Sequence, residues 1–329
     1  VRSPDETPVR HHELAGLAEV WERQLRFNAR VFADHGLELA ELSTTERATW
    51  TREFVLHVED ELHELLRETN WKMHRRGPRP VNRGNVLEEW TDAFKFLVGL
   101  AQVWGFREAE VLREFRRKSE VVEYKYEMEK RLRALPADAR LVGVDIDGVL
   151  NDWPACFLRW CAGGGVPYLS LADLRENLGP RAYAEQKDAY RRSGAKREQG
   201  VRAGAQDLLN GIRAAGGTVV LLSKRPYWRI GRIYADTLEW LRLNALRHDA
   251  LLFHPEKHRK ILQDFPGLVA MVEDDPAVAR EVLAVGTPVV LVDGSLNHGD
   301  DAPGVRRAQD LAEALEKVVR LIGGEDEQS

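Results

Sequence analysis

From residue 12 to about 134, apolar side chains recur at intervals of three and four. Four stretches carry the pattern: ELAGLAEVWERQLRFNARVF, TERATWTREFVLHVEDELHELL, NVLEEWTDAFKFLVGLAQVW and EAEVLREFRRKSEVVEYKYEMEKRL. That period places them on one face of a helix, so the segment predicts four helices packed as an all-α bundle. Ser43 or Thr44 is the candidate cap of the second helix and Asn85 of the third. The loop HRRGPRPVNRG breaks the pattern with Gly77, Pro78, Pro80 and Gly84. After RALPADAR the period changes. Short apolar runs (LVGVD, TVVLLS, LVAMVED, TPVVLVD) alternate with helical stretches, which predicts an α/β domain with a mainly parallel sheet. The domains are therefore expected at 1–134 and 141–329, joined by a linker at 135–140 near Pro136. A small helical cap is expected at about 151–200, and the GGEDEQS tail is expected to fray.

A chain of 329 residues, 43% hydrophobic and 31% charged, suits two globular domains. The net charge of −5 lacks the basic footprint that a nucleic acid polymer attracts. Two cysteines, Cys156 and Cys161, make neither a CxxC pair nor a disulfide framework, so a reducing, cytoplasmic setting is expected. The start, VRSPDETPVRHH, lacks the apolar core of a signal peptide. The run AFKFLVGLAQVW is too short to span a bilayer and contains Lys95. No membrane partner is expected.

The strand ends carry the chemistry. LVGVDIDGVLND runs an apolar strand into Asp145, with Asp147 two residues on, so in extended chain both point the same way. Gly148 then permits a sharp turn. Ser223 ends the second run, Glu273, Asp274 and Asp275 the third, and Asp293 the fourth. Acids gathered at the carboxyl edge of an open α/β sheet stand where such sheets bind ligands. Their mutual repulsion calls for a hard divalent cation, most simply Mg²⁺.

DIDGVL after a hydrophobic strand resembles the first motif of the haloacid dehalogenase (HAD) phosphohydrolase superfamily. Ser223 in VVLLSKRP matches its second motif, Lys257 in FHPEKHRK its third with Lys260 competing, and MVEDDP its acidic fourth. The resemblance, over about residues 141–320, implies that Asp145 attacks phosphorus to form an aspartyl phosphate. It makes Asp147 the general acid and base, and sets Ser223 and Lys257 on the phosphoryl oxygens. It places Mg²⁺ on Asp145, the backbone carbonyl of Asp147, and Asp274, with Glu273 or Asp275 left open. NDWPACFLRWCAGGG, GVRAGAQDLLNGIRAAGGTVVLLSKRP and TLEWLRLNAL resemble the 5′(3′)-deoxyribonucleotidase branch, which implies a nucleoside monophosphate substrate. Trp153, Phe157 and Trp160 are candidates either for stacking a base or for the cap's core.

In the first half, Glu61 and Glu64 lie three residues apart on one helix, and Glu89 and Asp92 repeat the spacing on the next. Each pair projects from one side of its helix. Three readings compete: a solvated charged stripe, a di-iron bundle, and a metal site built from four carboxylates. A di-iron bundle wants E-x-x-H twice, and only Asp60-x-x-His63 comes near. The E-x-x-E…E-x-x-D pattern, with Asn70-Trp71-Lys72 following its first pair, resembles the all-α nucleoside triphosphate pyrophosphatases, the MazG-like enzymes and dimeric dUTPases, over about residues 12–130. That resemblance implies that Glu61, Glu64, Glu89 and Asp92 bind Mg²⁺ on a triphosphate, with attack between the α and β phosphorus atoms. Trp71 would meet the base or else pack in the bundle core, and Lys72 or Lys95 would meet the phosphates. KSEVVEYKYEMEKRL lacks that family's Asn-rich closing motif, which leaves uracil specificity open. The family also implies a homodimer or higher oligomer through the helical domain.

Together the halves suggest a bifunctional nucleotide hydrolase that takes a (d)NTP to a (d)NMP and then to a nucleoside. The alternative is a HAD nucleotidase whose helical domain only binds nucleotide or oligomerises.

Overall fold

The computed structural model describes residues 16–69, 71, 81–163, 168–294, 297 and 303–325. The chain divides into two compact units, one up to Arg116 and the other from Arg117 on.

The first unit is helical: α1 (Leu17–Asp34), α2 (Thr44–Arg67), α3 (Arg83–Val103) and the start of α4 (Glu108–Arg133). Ser43 opens α2 with a reciprocal capping box with Glu46, which satisfies two otherwise orphaned backbone groups. The cap of α3 is Asn82, whose side chain accepts from Gly84 N at 2.9 Å. Asn85, the expected cap, lies inside the first turn and donates instead to Glu68 Oε2 at 3.0 Å. The helix starts three residues earlier than the spacing suggested, and Asn82 already holds the cap position. Side-chain pairs fix α2 and α3 as antiparallel: Glu68 meets Asn85, Phe54 meets Phe96, and Thr51 meets Trp104. Phe32, Leu39, Leu42, Phe54 and Val103 form the core. Beside it runs a buried polar ladder, in which Gln24 donates to Asn28, Asn28 to Gln102, and Gln102 to the Trp21 carbonyl, each at 2.9 Å. Every buried amide in that ladder thereby finds a partner.

The second unit is a six-stranded sheet with helices packed against it. Its strands are β1 (Arg140–Val144), β2 (Gly217–Ser223), β3 (Ala250–Phe253), β4 (Ala270–Glu273), β5 (Val289–Val292) and β6 (Arg306–Ala308). All neighbours pair in parallel, in the order β3-β2-β1-β4-β5-β6. β4 and β5 are buried at every position. Continuous apolar runs are the expected signature of strands covered on both faces. One core holds Val142, Val144, Leu209, Leu221, Trp240 and Val318. On the other side Val220, Leu222, Ile261, Met271 and Val278 pack with Met128 from the second half of α4.

The chain order turns back between β1 and β4, the switch point at which doubly wound sheets open a crevice. The remaining helices are α5 (Ala155–Ala162), α6 (Leu171–Ser193), α7 (Ala205–Ala214), α8 (Arg232–Leu243), α9 (Lys257–Asp264), α10 (Pro276–Leu283) and α11 (Leu311–Gly323). Between β1 and β2, α5 and α6 form a cap with its own core of Phe157, Leu174, Tyr183 and Tyr190. α6 kinks at Gly179 and Pro180, where proline cannot continue the hydrogen-bond ladder.

Candidate active sites

β1 and β4 are adjacent and end at the switch point, so Asp145 and Asp147 face Glu273 and Asp274. One oxygen each of Asp145, Glu273 and Asp274 lies within 4.8 Å of the others, and all three residues are buried. Gly148 makes the approach possible. Its φ is +90°, and a Cβ there would fall 1.9 Å from Asp274 Oδ2.

Lys257, the first residue of α9 and 1% exposed, sits 2.7 Å from both Asp145 Oδ1 and Glu273 Oε2. Lys260 points elsewhere and pairs with Asp264. Glu273 Oε1 also accepts from the amides of Asp274 and Asp275 at 3.2 Å, so its carboxylate orients Lys257 and the β4 turn. Asp275 caps α10 through Ala277 N and Val278 N. Burial, then Glu273 and Asp145, raises the Asp274 carboxyl. Asp145 is pushed up to about 7, because burial and Glu273 outweigh the attraction of Lys257. Lys257 itself is raised, since Asp145 and Glu273 overcome the cost of its burial. Ser223 ends β2, 1% exposed, and lines the same cavity. Asp293 lies outside that cavity and ion-pairs with Arg307.

Asp147 is held differently. Arg225 Nε and Nη2 reach its two oxygens at 3.0 and 2.6 Å. Lys196 Nζ lies 3.2 Å from both, and Asn151 donates at 2.8 Å. Burial alone would raise this carboxyl, but Arg225 and Lys196 outweigh it and hold the group well below the usual carboxylate range. Lys196, in a 3₁₀ turn (Ala195–Glu198), is lowered to about 8 by burial and by Arg225. The sequence reading missed both cations. Arg225 stands two residues after the Ser223 hydroxyl in VVLLSKRP, so its proximity to the motif was a signal. Lys196 carried none.

The donor set fits a hard divalent cation. Asp145 Oδ1 is paired in charge with Lys257, yet it is buried without a donor in hydrogen-bond geometry. The Asp274 carboxylate accepts no hydrogen bond from the described residues. Oxygen-only ligands of this kind suit Mg²⁺.

In the helical unit, Glu61 on α2 and Glu89 and Asp92 on α3 bring one oxygen each within 4.8 Å. Antiparallel packing of α2 on α3 makes that meeting. Glu64 is not in this triplet and pairs with Arg67 at 3.5 Å. It is still close enough to act on Glu89, whose carboxyl is raised by desolvation, then by Glu64 and Glu61. Lys95 Nζ lies 2.9 Å from Asp92.

A family model described as dUTPase matches residues 16–138. The helical unit is a dUTPase-family domain. The matched span includes all of α4, whose second half packs into the sheet unit. In this dUTPase-family domain Trp71 is about half exposed, and Lys72 lies outside the described residues.

A search of curated proteins finds no significant match to the chain. Among solved structures, the chain is similar to D,D-heptose 1,7-bisphosphate phosphatase from B. bronchiseptica complexed with magnesium and phosphate. Identity there is 17% over 55% of this chain and 98% of that one, with a TM-score of 0.35. A predicted phosphatase from Clostridium acetobutylicum gives 17%, 55%, 99% and 0.41. A HAD-superfamily hydrolase of subfamily IA from Geobacter sulfurreducens gives 16%, 56%, 99% and 0.38. The sheet unit has the HAD-type fold on its own geometry: a parallel sheet with Asp145, Ser223, Lys257 and Asp274 around the ends of β1, β2 and β4, and a helical cap after β1. Within the cap, Phe157 is fully buried and so unavailable to stack a base. Trp160 packs edge-on against Tyr190, and Trp153 lines the cavity. No helix among the described residues is long and apolar enough to cross a membrane.

Proposed function

We propose that the protein is a bifunctional, Mg²⁺-dependent nucleotide hydrolase. The dUTPase-family domain takes a (d)NTP, with dUTP the first candidate, to the monophosphate and pyrophosphate. The HAD domain then removes the remaining phosphate. The observation that carries this reading is that each unit holds its own three-carboxylate cluster, Glu61-Glu89-Asp92 in one and Asp145-Glu273-Asp274 in the other.

In the sheet unit, Asp145 attacks phosphorus, an Asp145 O–P bond forms, and the bond to the leaving oxygen breaks. Asp147 gives that oxygen a proton and afterwards takes one from the water that cleaves the aspartyl phosphate. Arg225 and Lys196 hold Asp147 ionised. An incoming dianionic phosphoryl group competes for those cations, and each one it draws away makes Asp147 a better proton carrier. Lys257 and Ser223 offset charge on the phosphoryl oxygens. Asp145, Asp274 and the Asp147 carbonyl would hold Mg²⁺, which when bound neutralises phosphate charge. In the helical unit Glu61, Glu64, Glu89 and Asp92 would hold the cations that carry the triphosphate, and Trp71 and Lys72 would meet substrate. Exposed Leu62 and Leu66 on α2, and Leu87, Trp90 and Leu97 on α3, support a homodimer or higher oligomer through this domain.

The test is product analysis over a panel of NTPs and dNTPs with Mg²⁺, for wild type, Asp145→Asn and Glu61→Gln. The reading expects Asp145→Asn to stop at monophosphate and pyrophosphate, and Glu61→Gln to leave triphosphate intact. Wild type that ignores every triphosphate yet dephosphorylates monophosphates overturns the first step. It would favour the second reading, a HAD nucleotidase whose helical domain binds nucleotide or oligomerises. The ion pairs of Glu64 with Arg67 and Asp92 with Lys95 favour that reading, because they offset part of the acidic charge without a metal.

A further inference from the structure

The sheet-unit cavity, about 430 Å³, has room for a small phosphomonoester and is walled on one side by the cap. Its buried and half-buried cations are nearly all committed. Lys257 holds Asp145 and Glu273, Arg225 and Lys196 hold Asp147, and Arg191 pairs with Asp188 at 3.1 Å. Lys187, from α6, is the exception. Its ammonium lies 5.4 Å from the ring centre of Trp153 and 5.5 Å from that of Tyr183, with no carboxylate in ion-pair range among the described residues. Burial, then Arg191, lowers its pKa by more than the distant Asp147 and Asp188 raise it, as for a desolvated cation with no anion in direct contact. Cation–π contact with two rings offsets only part of that cost.

Trp153 narrows the choice of occupant. Phe157 stacks against the indole at 5.4 Å and 16°, and the ammonium groups of Lys187 and Lys196 stand 5.4 and 5.5 Å from its ring centre. The cap wall therefore meets the leaving group with N–H⁺ donors rather than with a bare aromatic face.

We propose that Lys187 is a specificity-determining residue that receives a second anionic group, a phosphate or a carboxylate, carried on the leaving alcohol of the phosphomonoester. The favoured substrate class is a bisphosphorylated or carboxylate-bearing alcohol, such as a nucleoside 3′,5′-bisphosphate, over its singly phosphorylated counterpart. The inference rests on the phosphatase reading of Asp145 but not on the identity of the base.

The test uses full-length Asp145→Asn protein with Mg²⁺, so that ligands bind without turnover. Calorimetric affinities are compared for a deoxynucleoside 5′-monophosphate, its 3′,5′-bisphosphate, and a phosphomonoester bearing a carboxylate. The second anion should tighten binding about tenfold or more, the scale of one charge-assisted contact. Whether the phosphate or the carboxylate ligand gains identifies the source. Adding Lys187→Met should abolish the gain, weakening the two-anion ligands at least about tenfold more than the monophosphate, while Lys187→Arg should retain it. Equal affinities in the parent, a gain that survives Lys187→Met, or equal weakening of every ligand overturns the proposal. Wild-type release of phosphate from any of these three ligands that is lost in Asp145→Asn tests the phosphatase reading separately. Its absence would overturn that reading, while the affinities still decide the role of Lys187.

Discussion

Arg225 grips Asp147 with both arms of its guanidinium, Nε at 3.0 Å and Nη2 at 2.6 Å, while Nη1 donates to Thr237 at 2.8 Å. A planar fork matched to a carboxylate in this way cannot be replaced by an ammonium. Arg225 is 2% exposed, so removing it takes the bidentate partner from a carboxylate that keeps only Lys196 and Asn151. Arg225→Met is expected to cost on the order of 3–5 kcal/mol of stability, the usual penalty for breaking a buried pair. Arg225→Lys should cost less yet still slow phosphate release from a phosphomonoester. Urea unfolding and steady-state rates on both variants check this. Unchanged stability in Arg225→Met would mean that the pair is not formed in solution.

Two glycines separate backbone strain from steric exclusion. Gly148 and Gly216 have φ values of +90° and +84°, so alanine at either carries a left-handed penalty of about 1–2 kcal/mol. Around Gly216 a Cβ meets nothing within 4 Å, whereas at Gly148 it would fall 1.9 Å from Asp274 Oδ2. Gly216→Ala should therefore lose only the strain energy and keep phosphatase activity. Gly148→Ala should lose activity and Mg²⁺ affinity as well, because Asp274 must move. Similar behaviour of the two variants in unfolding and metal titration would contradict the close approach of Gly148 to Asp274.

The two lysines that competed for one role make a matched pair. Lys257→Met leaves Asp145 and Glu273 buried with their shared cation gone. The expectation is a destabilisation of about 3–5 kcal/mol and loss of phosphatase activity. Lys260→Met breaks only its partly exposed pair with Asp264 and should change stability by less than about 1 kcal/mol. Thermal unfolding and activity, measured side by side, decide it; a Lys260 variant as damaged as the Lys257 variant would reverse the assignment.

What could be read in advance follows from how local each signal is. β1, β2, β4 and β5 were legible because burial on both faces makes each one a continuous apolar run. β3 and β6 were not. β6 is the three residues Arg306–Ala308 at the sheet edge, two of them arginines, and no apolar pattern marks such a strand. Asp145 and Asp274 could be read because each ends a strand, and strand ends share an edge in any parallel sheet. The hold of Lys196 on Asp147 could not, since it joins positions 49 residues apart through the folding of the cap, whereas Arg225, 78 residues from Asp147, was marked only by its place beside the Ser223 motif. Phe157 carried no sign of its own to tell a stacking ring from a core ring. Only the packing of Tyr183 and Tyr190 around it decides.

His248 gives the sheet unit a pH dependence of definite sign. Its Nδ1 lies 2.9 Å from the Leu246 carbonyl, which can only accept, so that nitrogen carries the proton and Nε2 accepts from the Tyr124 hydroxyl at 3.0 Å. Burial pushes this imidazole below the ordinary histidine value. The unfolded chain then binds the proton first as pH falls. Stability from this group is complete above about 6.5, the unfolded value, and is lost between there and the lower folded value. His248→Gln should therefore flatten the decline in unfolding free energy between about pH 7.5 and about pH 5. Parallel declines in wild type and variant would show that the buried, neutral form is not maintained.

The acid triplet of the dUTPase-family domain offers the sharpest test of a metal role that does not depend on catalysis. Glu61, Glu89 and Asp92 bring one oxygen each within 4.8 Å, and desolvation, then Glu64 and Glu61, raises the Glu89 carboxyl, so the folded state carries repulsion that a bound divalent cation would remove. A cation that binds only the folded arrangement shifts unfolding by mass action, and at tenfold above its Kd it multiplies the folded-to-unfolded ratio by roughly eleven. The sheet-unit cluster would respond too, so the experiment is run on full-length Asp274→Asn protein, in which that second site is impaired. Mg²⁺ should raise the melting midpoint of this protein, and Ca²⁺ should as well if charge neutralisation is the cause. Adding Glu61→Gln with Glu89→Gln should raise the midpoint without metal, by relieving the repulsion, and abolish the Mg²⁺ response. A metal response that persists in that variant would place the binding elsewhere. A parent protein indifferent to Mg²⁺ would reduce the triplet to a solvated acidic face.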